Sequence, residues 1–251
     1  MSNREILGVK INLVNKTEAL QLAQNFLYSS KPNAIFTPNP EMLVEASRDL
    51  EFKNILNQGD LNICDGFGLK LVAPKLTRIS GADFMLDLCA LAEQEQKSVY
   101  LLGSDDSEIV EKAGQNLQQK FSRLKIAGTD HGYVIELVKT EQGSILQYNK
   151  DERAETIHRI IMSAPDILLV AFGHNKQEKW IMENVNELPS VKIAMGVGGA
   201  FDYLSGKIKR APKIFQKIGM EWLWRLINEP KRIKRIWNAT FVFLYYFLRN
   251  K

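Results

Sequence analysis

The residues best suited to chemistry in this sequence are polar side chains that directly follow short apolar runs. Asp65 comes after one such run, and glycines stand at positions 66 and 68. A carboxylate at the edge of a cleft can take a proton from an attacking hydroxyl, and glycine lets a ligand approach the backbone closely. Asp65 is therefore a candidate general base, and the alternative with the same spacing is an Asp that only caps a turn.

A second cluster follows an earlier apolar run, in the segment Thr-Pro-Asn-Pro-Glu at residues 37–41. Its prolines fix a turn, and either Thr37 or Asn39 could cap the helix that comes next. Both side chains could also hydrogen-bond a polar ligand. The spacing supports the cap and the ligand contact about equally.

The last apolar run of strand length ends in three glycines, Gly196, Gly198 and Gly199, followed by Asp202. The backbone N–H groups of such glycines can face a pyrophosphate without interference from a Cβ atom. Asp202 could then hydrogen-bond a ribose or sugar hydroxyl. The alternative is a tight turn with an Asp that caps a helix.

Gln177 and Glu178 stand near the start of a predicted helix, after Phe-Gly-His at residues 172–174. An amide next to a carboxylate could hydrogen-bond a uracil edge or sugar hydroxyls. A solvated helix start is equally compatible with the spacing.

Several common chemistries lack the residues that they need. The sequence has no Asp-x-Asp pair of the kind that holds a metal-bound nucleotide sugar, and its three histidines, at 131, 158 and 174, share no ligand spacing. It also has no nucleophile elbow and no Walker A lysine. Gly103 stands alone, which favours a capped turn over a dinucleotide site. We therefore predict no metal and no cofactor, and expect a cationic side chain to stabilise any phosphate leaving group.

The elements that must position these residues alternate between strands and helices. This alternation predicts an α/β fold with a Rossmann-like, mostly parallel sheet flanked by helices. The predicted strands are residues 34–37, 61–64, 98–102, 124–127, 166–172 and 191–197, and the predicted helices are 16–28, 40–57, 68–74, 82–94, 107–121, 153–162 and 176–186. Residues 134–153 have weak periodicity and are interpreted as a surface insertion. Because ligands of open α/β sheets bind beyond the carboxyl ends of the strands, the polar segments should meet at one edge.

The positive charge of the chain is concentrated at its C-terminal end. Residues 207–251 carry 12 Lys and Arg against 2 acids, a net charge of +10, whereas the first 206 residues have 21 against 27, a net charge of −6. Strand signals stop after residue 205, and helices are predicted over 212–227 and 230–249. We therefore predict an α/β core at 1–206 and a helical C-terminal appendage at 207–251.

Basic residues mixed with Trp, Tyr and Phe in this appendage suit a helix lying on an anionic membrane surface. The alternatives are packing on the core or on a second subunit, which leaves a homo-oligomer open, and a protein that binds an anionic surface or nucleic acid without catalysis. No nucleic-acid-binding motif accompanies the charge, so we predict no nucleic acid partner.

The composition favours a soluble globular protein, with 45% hydrophobic and 25% charged residues. No apolar run reaches the roughly 18 residues of a membrane-spanning helix, and no signal-peptide segment is recognised. Two cysteines, Cys64 and Cys89, are too few for a disulfide framework and are expected as buried free thiols. We expect a cytoplasmic location.

The motifs taken in order resemble those of the WecG/TagA/CpsF family of bacterial glycosyltransferases. The matching segments are residues 37–41, 65–68, 78–83, 177–180, 196–202, 209–212 and 219–226. The resemblance extends over about residues 8–235, and the ordered set is far more specific than any one motif. The family usually has a small residue and a Pro before its Lys-Gln-Glu run, where this chain has His174 and Asn175.

The resemblance implies an inverting, metal-independent transfer of a sugar from a UDP-sugar donor to a polyprenyl-diphosphate-linked acceptor. In the best-known members the donor is UDP-N-acetylmannosamine and the acceptor is undecaprenyl-diphosphate-GlcNAc, a step of teichoic acid synthesis. Other members use another UDP-hexose, such as UDP-ManNAcA or UDP-glucose, for exopolysaccharide. The resemblance also implies a peripheral location on the inner face of the plasma membrane.

Roles of individual residues also follow from the resemblance. It implies that Asp65 is the base, with Thr37 beside it, and that Arg78 contacts phosphate or acceptor. The implied donor-binding residues are Asn39, Gln177, Gly198, Gly199 and Asp202. The implied diphosphate-binding arginines of the appendage are Arg225, Arg232 and Arg235, which would lie within about an 80° arc of one helix.

Overall fold

The computed structural model describes residues 1–104, 106–212, 215, 221–228 and 233–249. The side chains of residues 221, 222, 225, 228 and 234 lie outside this description. Arg232 and the side chain of Arg225, both predicted site residues, therefore lie outside the described part of the chain.

Six parallel strands form the central sheet, which confirms the predicted fold class. The strands of the described chain are β1 (Asn3–Ile6), β2 (Val9–Asn12), β3 (Asn33–Phe36), β4 (Leu61–Asn62), β5 (Ser98–Gly103), β6 (Lys125–Asp130), β7 (Ile135–Lys139), β8 (Ser144–Tyr148), β9 (Ile167–Ala171) and β10 (Ile193–Gly196). The sheet has the order β4-β3-β10-β9-β5-β6, and Met195 of β10 pairs with Leu169 of β9 and Ile35 of β3. Strands β1–β2 and β7–β8 form two separate antiparallel hairpins.

Helices follow most of the parallel strands. The helices of the described chain are α1 (Lys16–Leu27), α2 (Pro40–Ala46), α3 (Leu50–Gln58), α4 (Phe67–Val72), α5 (Gly81–Gln94), α6 (Ser107–Lys120), α7 (Lys150–Ser163), α8 (Lys176–Asn184), α9 (Ala200–Leu204), α10 (Glu221–Asn228), α11 (Ile233–Trp237) and α12 (Phe243–Arg249). A π-helical segment, Asn238–Val242, joins α11 to α12. We call residues 233–249 the C-terminal run.

The sheet is buried on both faces because its strands are continuous apolar runs. Side chains alternate along a strand, so Leu168 and Val170 of β9 belong to one core cluster while Ile167 and Leu169 belong to the other. Cys64 and Cys89 are buried and free, as expected. A sheet held from both sides gives the residues at its carboxyl edge a rigid support.

The helix predicted over residues 40–57 is wrong in one respect, because the structure has two helices there. Asp49 has an extended backbone, with φ −128°, and its carboxylate accepts a hydrogen bond from the N–H of Phe52 at 2.8 Å, which caps α3. Buried residues at 42, 46, 49, 52 and 56 keep a helical period across the break. Periodicity alone therefore did not reveal it.

The segment interpreted as a surface insertion, residues 134–153, is the β7–β8 hairpin followed by the start of α7. Lys179 of α8 is fully buried and connects this hairpin to the core. Its Nζ donates to Ser144 Oγ at 3.0 Å and to the Ser144 carbonyl oxygen. It also lies 3.4 Å from Asp49 Oδ2. The hairpin therefore braces the helix that carries Gln177. The β1–β2 hairpin was not predicted either.

The C-terminal run packs on helix α2. Phe243 is buried in the core, and Tyr246 accepts a hydrogen bond from Arg48 Nε at 3.0 Å. The helices predicted over 212–227 and 230–249 lie partly outside the described residues, and the described parts are helical except for Pro212. Within the described residues, no helix combines the length and the apolar character needed to cross a membrane.

Candidate active site

A cavity of about 810 Å³ lies at the carboxyl edge of the sheet. The segments after β4, β3, β10 and β9, four neighbouring strands, supply much of its lining, and the start of α5 and the C-terminal run close it. This is where open α/β sheets bind ligands, and the volume is in the range of small-molecule sites. Gly103, the last residue of β5, and Ser104 do not line it. The turn is followed by Asp106, whose side chain caps α6, as the predicted capped turn requires.

Asp65 lies in this cavity beside the first residue of α5. The N–H of Gly81 donates to Asp65 Oδ2 at 3.2 Å, and the N–H of Asp65 donates to the carbonyl oxygen of Pro38 at 3.0 Å. A Cβ atom on Gly81 would lie 3.1 Å from Thr37 Oγ1 and 3.2 Å from Asp65 Oδ2. Asp65 and Thr37 therefore converge on one glycine at a helix N-terminus, where the helix dipole favours a negative charge.

Asn39 begins helix α2 and also lines the cavity. Its Oδ1 accepts a hydrogen bond from the N–H of Met42 at 3.1 Å, which confirms the predicted cap. Because this bond uses the amide oxygen, a contact from Asn39 to a ligand would come from Nδ2. The cap and the ligand contact are therefore compatible.

Gln177 connects the start of α8 to the glycine segment after β10. Its Oε1 accepts a hydrogen bond from the N–H of Gly198 at 2.9 Å, and its Nε2 donates to Glu178 Oε1 at 2.8 Å. A Cβ atom on Gly196 would lie 2.7 Å from Gln177 Nε2, so any side chain at this position would displace the Gln177 amide. We expected the backbone N–H groups of these glycines to face a pyrophosphate. The N–H of Gly198 is instead already hydrogen-bonded to Gln177.

Glu178 is buried behind Gln177 and does not line the cavity, so the interpretation that it contacts a ligand is wrong. Burial raises the pKa of its carboxyl to about 7, although the hydrogen bond from Gln177 opposes the rise. Its Oε2 has no hydrogen-bond partner among the described residues. Glu178 contacts the site through the hydrogen bond that its Oε1 accepts from the Gln177 amide.

Asp202 and Gly199 line the opposite part of the cavity. Asp202 lies inside α9 and not at its N-cap, which is Gly199, so the capping alternative does not apply. Its Oδ1 is 3.7 Å from Lys207 Nζ. The carboxylate remains available as an acceptor for hydroxyl groups.

Three arginines of the described chain line the cavity: Arg78, Arg210 and Arg235. Sequence reasoning assigned no role to Arg210, although it belongs to one of the matched segments. Arg210 Nη1 is 2.6 Å from Asp83 Oδ1, and Nη2 donates to Ser80 Oγ at 3.4 Å. Burial alone would raise the pKa of Asp83, but the hydrogen bond and charge of Arg210 outweigh burial and lower it. This pair joins residues 80–83 to residues 209–212.

Arg235 reaches the cavity from α11. It makes a bidentate ion pair with Glu41, with Nε 2.9 Å from Oε1 and Nη2 2.9 Å from Oε2. Its Nη2 is also 3.2 Å from His174 Nδ1. A planar guanidinium suits this geometry, and the same geometry suits a diphosphate.

The outer part of the cavity is apolar. Phe67 and Leu71 of α4 and Phe241 and Leu244 of the C-terminal run line it and are exposed. Gly68 also lines the cavity, and it packs so closely on Pro40 that an added Cβ atom would lie 2.9 Å from Pro40 Cγ. The cavity therefore joins a charged interior to an apolar mouth.

Apart from Glu178, each residue that the sequence assigned to the site and whose side chain the structure describes lines this one cavity. Sequence reasoning assigned no role to Gly81, Arg210 and His174, which line the same cavity. The first two lay inside quoted motifs, and the third was noted only as a departure from the family pattern. Among the described residues, no three His, Cys, Asp or Glu side chains group as metal ligands would. The roles of the individual residues stay predictions.

The fold and this edge define an open α/β protein that takes its ligand beyond the carboxyl ends of four strands. A family model described as the glycosyl transferase WecG/TagA/CpsF family matches residues 4–251, so the chain belongs to that family and is a hexosyltransferase. Its relatives include proteins of Staphylococcus aureus strains MW2 and NCTC 8325 named N-acetylglucosaminyldiphosphoundecaprenol N-acetyl-beta-D-mannosaminyltransferase. Each is 31% identical over 255 residues, which covers 98% of this chain and 92% of the relative.

Proposed function

We propose that this chain transfers N-acetylmannosamine from UDP-N-acetylmannosamine to GlcNAc-diphosphoundecaprenol. The observation that carries the proposal is the convergence of Asp65 and Thr37 on Gly81, inside a cavity lined by three arginines. The names of the Staphylococcus relatives, which match nearly the whole chain, support the choice of donor sugar and acceptor.

In the proposed reaction Asp65 is the general base. It takes the proton of the acceptor's sugar hydroxyl, and the resulting oxygen bonds to C1 of the donor sugar while the bond from C1 to the UDP oxygen breaks. UDP leaves with the electron pair. Attack from the face opposite UDP inverts the configuration at C1, and Thr37 orients the attacking group beside Asp65.

Cationic side chains take the place of a metal ion in this proposal. Arg78, Arg210 and Arg235 line the cavity and carry charges that can be aimed at the two phosphates of the leaving UDP. Arg225 and Arg232 are proposed to extend this set. Preorganised cations stabilise the charge that develops on the leaving group, and the reaction then needs no divalent metal.

The donor is proposed to lie across the ends of β3, β9 and β10. Asn39 Nδ2, the remaining N–H of the Gln177 amide and the Asp202 carboxylate supply hydrogen bonds to uracil and sugar hydroxyls. Gly198 and Gly199 let the nucleotide approach the backbone, since at Gly198 no heavy atom lies within 4 Å of a Cβ position.

The chain is proposed to work as a peripheral protein on the inner face of the plasma membrane. Trp237, Phe241, Leu244 and Leu248 of the C-terminal run are exposed, and the segment around them is strongly basic. Exposed apolar side chains with basic neighbours bind anionic lipid surfaces. Residues 207–251 would serve this contact while residues 1–206 hold the donor.

The test is a donor screen with the full chain and a synthetic polyprenyl-diphosphate-GlcNAc acceptor, with products identified by mass. We expect transfer from UDP-N-acetylmannosamine, and the same rate with a chelator present. Transfer only from UDP-ManNAcA or UDP-glucose would overturn the donor assignment, and loss of activity with a chelator would overturn metal independence. A product with retained configuration at C1 would overturn the mechanism.

A further inference from the structure

His174, to which the proposed reaction gives no role, lies where helix α2 meets the C-terminal run. Its ring lines the cavity and its side chain is 24% exposed. Each ring nitrogen faces a charged partner: Nε2 is 2.9 Å from Glu45 Oε2, and Nδ1 is 3.2 Å from Arg235 Nη2. The ring therefore connects the core to the C-terminal run.

These two partners decide which nitrogen carries the proton. A carboxylate only accepts hydrogen bonds, so Nε2 must donate to Glu45, and a guanidinium only donates, so Nδ1 must accept from Arg235. Both bonds form only with the neutral ring that has its proton on Nε2. Asn175 Nδ2 holds Glu45 in place by donating to its Oε1 at 2.7 Å.

Arg235 thus contacts the Glu41 carboxylate on one side and the His174 ring on the other. We call this pair of contacts the seat of Arg235. The seat fixes α11 over the cavity. A second contact, Arg48 with Tyr246, holds the other end of the run to the segment between α2 and α3 and contains no histidine. The two contacts can be separated by experiment.

We propose that His174 is a positioning residue that seats Arg235 at the mouth of the cavity, and that it does so only while its ring is neutral. Protonation places an N–H on Nδ1, so the ring can no longer accept from Arg235 and two cations face each other. The imidazolium also competes with Arg235 for Glu41. Arg235 then leaves its seat and α11 loosens; the consequence for sugar transfer rests on the proposed function.

The surrounding charges set the pH range of this change. Burial disfavours the imidazolium, but the hydrogen bond to Glu45 and the charges of Glu41 and Glu45 outweigh burial and raise the pKa of His174 above its ordinary 6.5, against the opposing charge of Arg235. Glu178 of α8 also faces the ring and has a pKa of about 7. The seat is therefore present above the pKa of His174 and lost as the pH falls through it.

The test is hydrogen exchange of the full chain without substrate, between pH 5.5 and 8.5, as protection relative to intrinsic exchange rates. We expect protection of residues 233–237 to fall about tenfold on acidification, because a hydrogen bond between a charged and a neutral group is lost. Global stability should not fall, since a raised histidine pKa means that the fold favours the protonated ring.

Variants identify the titrating group. His174→Asn keeps an acceptor near the position of Nδ1 but does not titrate, so its protection should not vary with pH. Glu45→Gln should move the transition to lower pH, and Glu178→Gln should move it less in the same direction but keep it. Tyr246→Phe should lower protection near residue 246 equally at all pH values.

Protection of wild-type residues 233–237 that does not change with pH would overturn the proposal, and so would a transition that survives in His174→Asn or disappears in Glu178→Gln. With substrate present, the part of the acid limb of kcat/KM that follows the titration of His174 should be lost in His174→Asn, which leaves only the limb set by the Asp65 base. If the wild type transfers no sugar, the proposed function fails, and the exchange data still decide whether His174 seats Arg235.

Discussion

The two charged groups that define the site, the Asp65 carboxylate and the Arg235 guanidinium, are held in opposite ways. Asp65 follows a buried strand, and backbone N–H and C=O groups of Gly81 and Pro38 fix it. Arg235 stands on a helix that packs on the core through side chains, and it is held by Glu41 and His174. Main-chain contacts at the edge of the sheet thus hold Asp65, whereas side-chain contacts hold Arg235.

This difference suggests a division of labour. A general base must stay at a fixed distance from the atom it deprotonates, and main-chain contacts at a sheet edge provide that rigidity. A cation that meets a large lipid-linked substrate has to admit it first. An ion pair between side chains suits that task, because an incoming anion can take the place of the carboxylate. Such ion pairs are also sensitive to salt and pH.

The largest expected effect tests the rigid side. Asp65→Asn removes the base while keeping the shape of the side chain, so kcat should fall by about a hundredfold to ten-thousandfold, with UDP binding by calorimetry unchanged. Asp106→Asn, at the exposed N-cap of α6, is the matched control and should leave activity intact. Activity of Asp65→Asn within a few-fold of wild type would mean that another group is the base.

The next effect concerns the buried support behind Gln177. Because the pKa of Glu178 is raised to about 7 in the fold, the unfolded chain releases this proton more readily, and stability falls as the pH rises from about 4.5 to 7. Glu178→Gln removes that dependence. Its free energy of unfolding relative to wild type should therefore grow by about 3 kcal/mol between pH 4.5 and 8.

Denaturant unfolding at the two pH values measures this difference. Glu108→Gln, at an exposed position of α6, should show no such change. A difference between Glu178→Gln and wild type that is the same at both pH values would contradict a buried carboxyl that titrates near neutrality.

Removing the Arg235 guanidinium should lower activity less than removing the base. Arg235→Ala should lower kcat about a hundredfold, the usual effect of losing one preorganised donor to a developing anion, and it should also weaken UDP binding, because the same guanidinium faces the diphosphate. Arg249→Ala, at the far end of the C-terminal run, is the control because it does not line the cavity. A loss as large as that of Asp65→Asn would erase the distinction between the two sides.

The smallest effect tests how precisely the base is placed. Gly81→Ala adds a Cβ atom 3.1–3.2 Å from Thr37 Oγ1 and Asp65 Oδ2, so both must shift by a few tenths of an ångström and kcat should fall about tenfold. Gly114→Ala is equally crowded, at 3.0 Å from Thr129 Cγ2, but lies in α6 away from the cavity. Equal rates for the two variants would show that the contact at Gly81 is loose.

Much of the fold could be predicted because its signals are local. Apolar runs of strand length alternate with helical periods, and this pattern indicated the parallel sheet and the edge where the polar segments meet. The break between α2 and α3 could not be predicted, because buried positions keep a helical spacing across Asp49. The two hairpins were missed because their short, half-exposed strands carry little periodic signal.

The candidate site likewise has a part that could be predicted from the sequence and a part that could not. Asp65, Thr37 and Gln177 could be assigned since each belongs to a motif at the end of a predicted strand or the start of a helix. The seat of Arg235 could not, because nothing local links residue 235 to Glu41, which is 194 positions earlier in the chain.

The sequence by itself determined the α/β alternation, the polar ends of the strands and the basic C-terminal segment, because apolar spacing and charge are written along the chain. Only the tertiary structure decided which polar groups satisfy one another: Gly198 with Gln177, Asp83 with Arg210, and His174 with Arg235. The physical reason is that a hydrogen bond depends on distance and direction in space, and the folded sheet alone sets these for residues far apart in sequence.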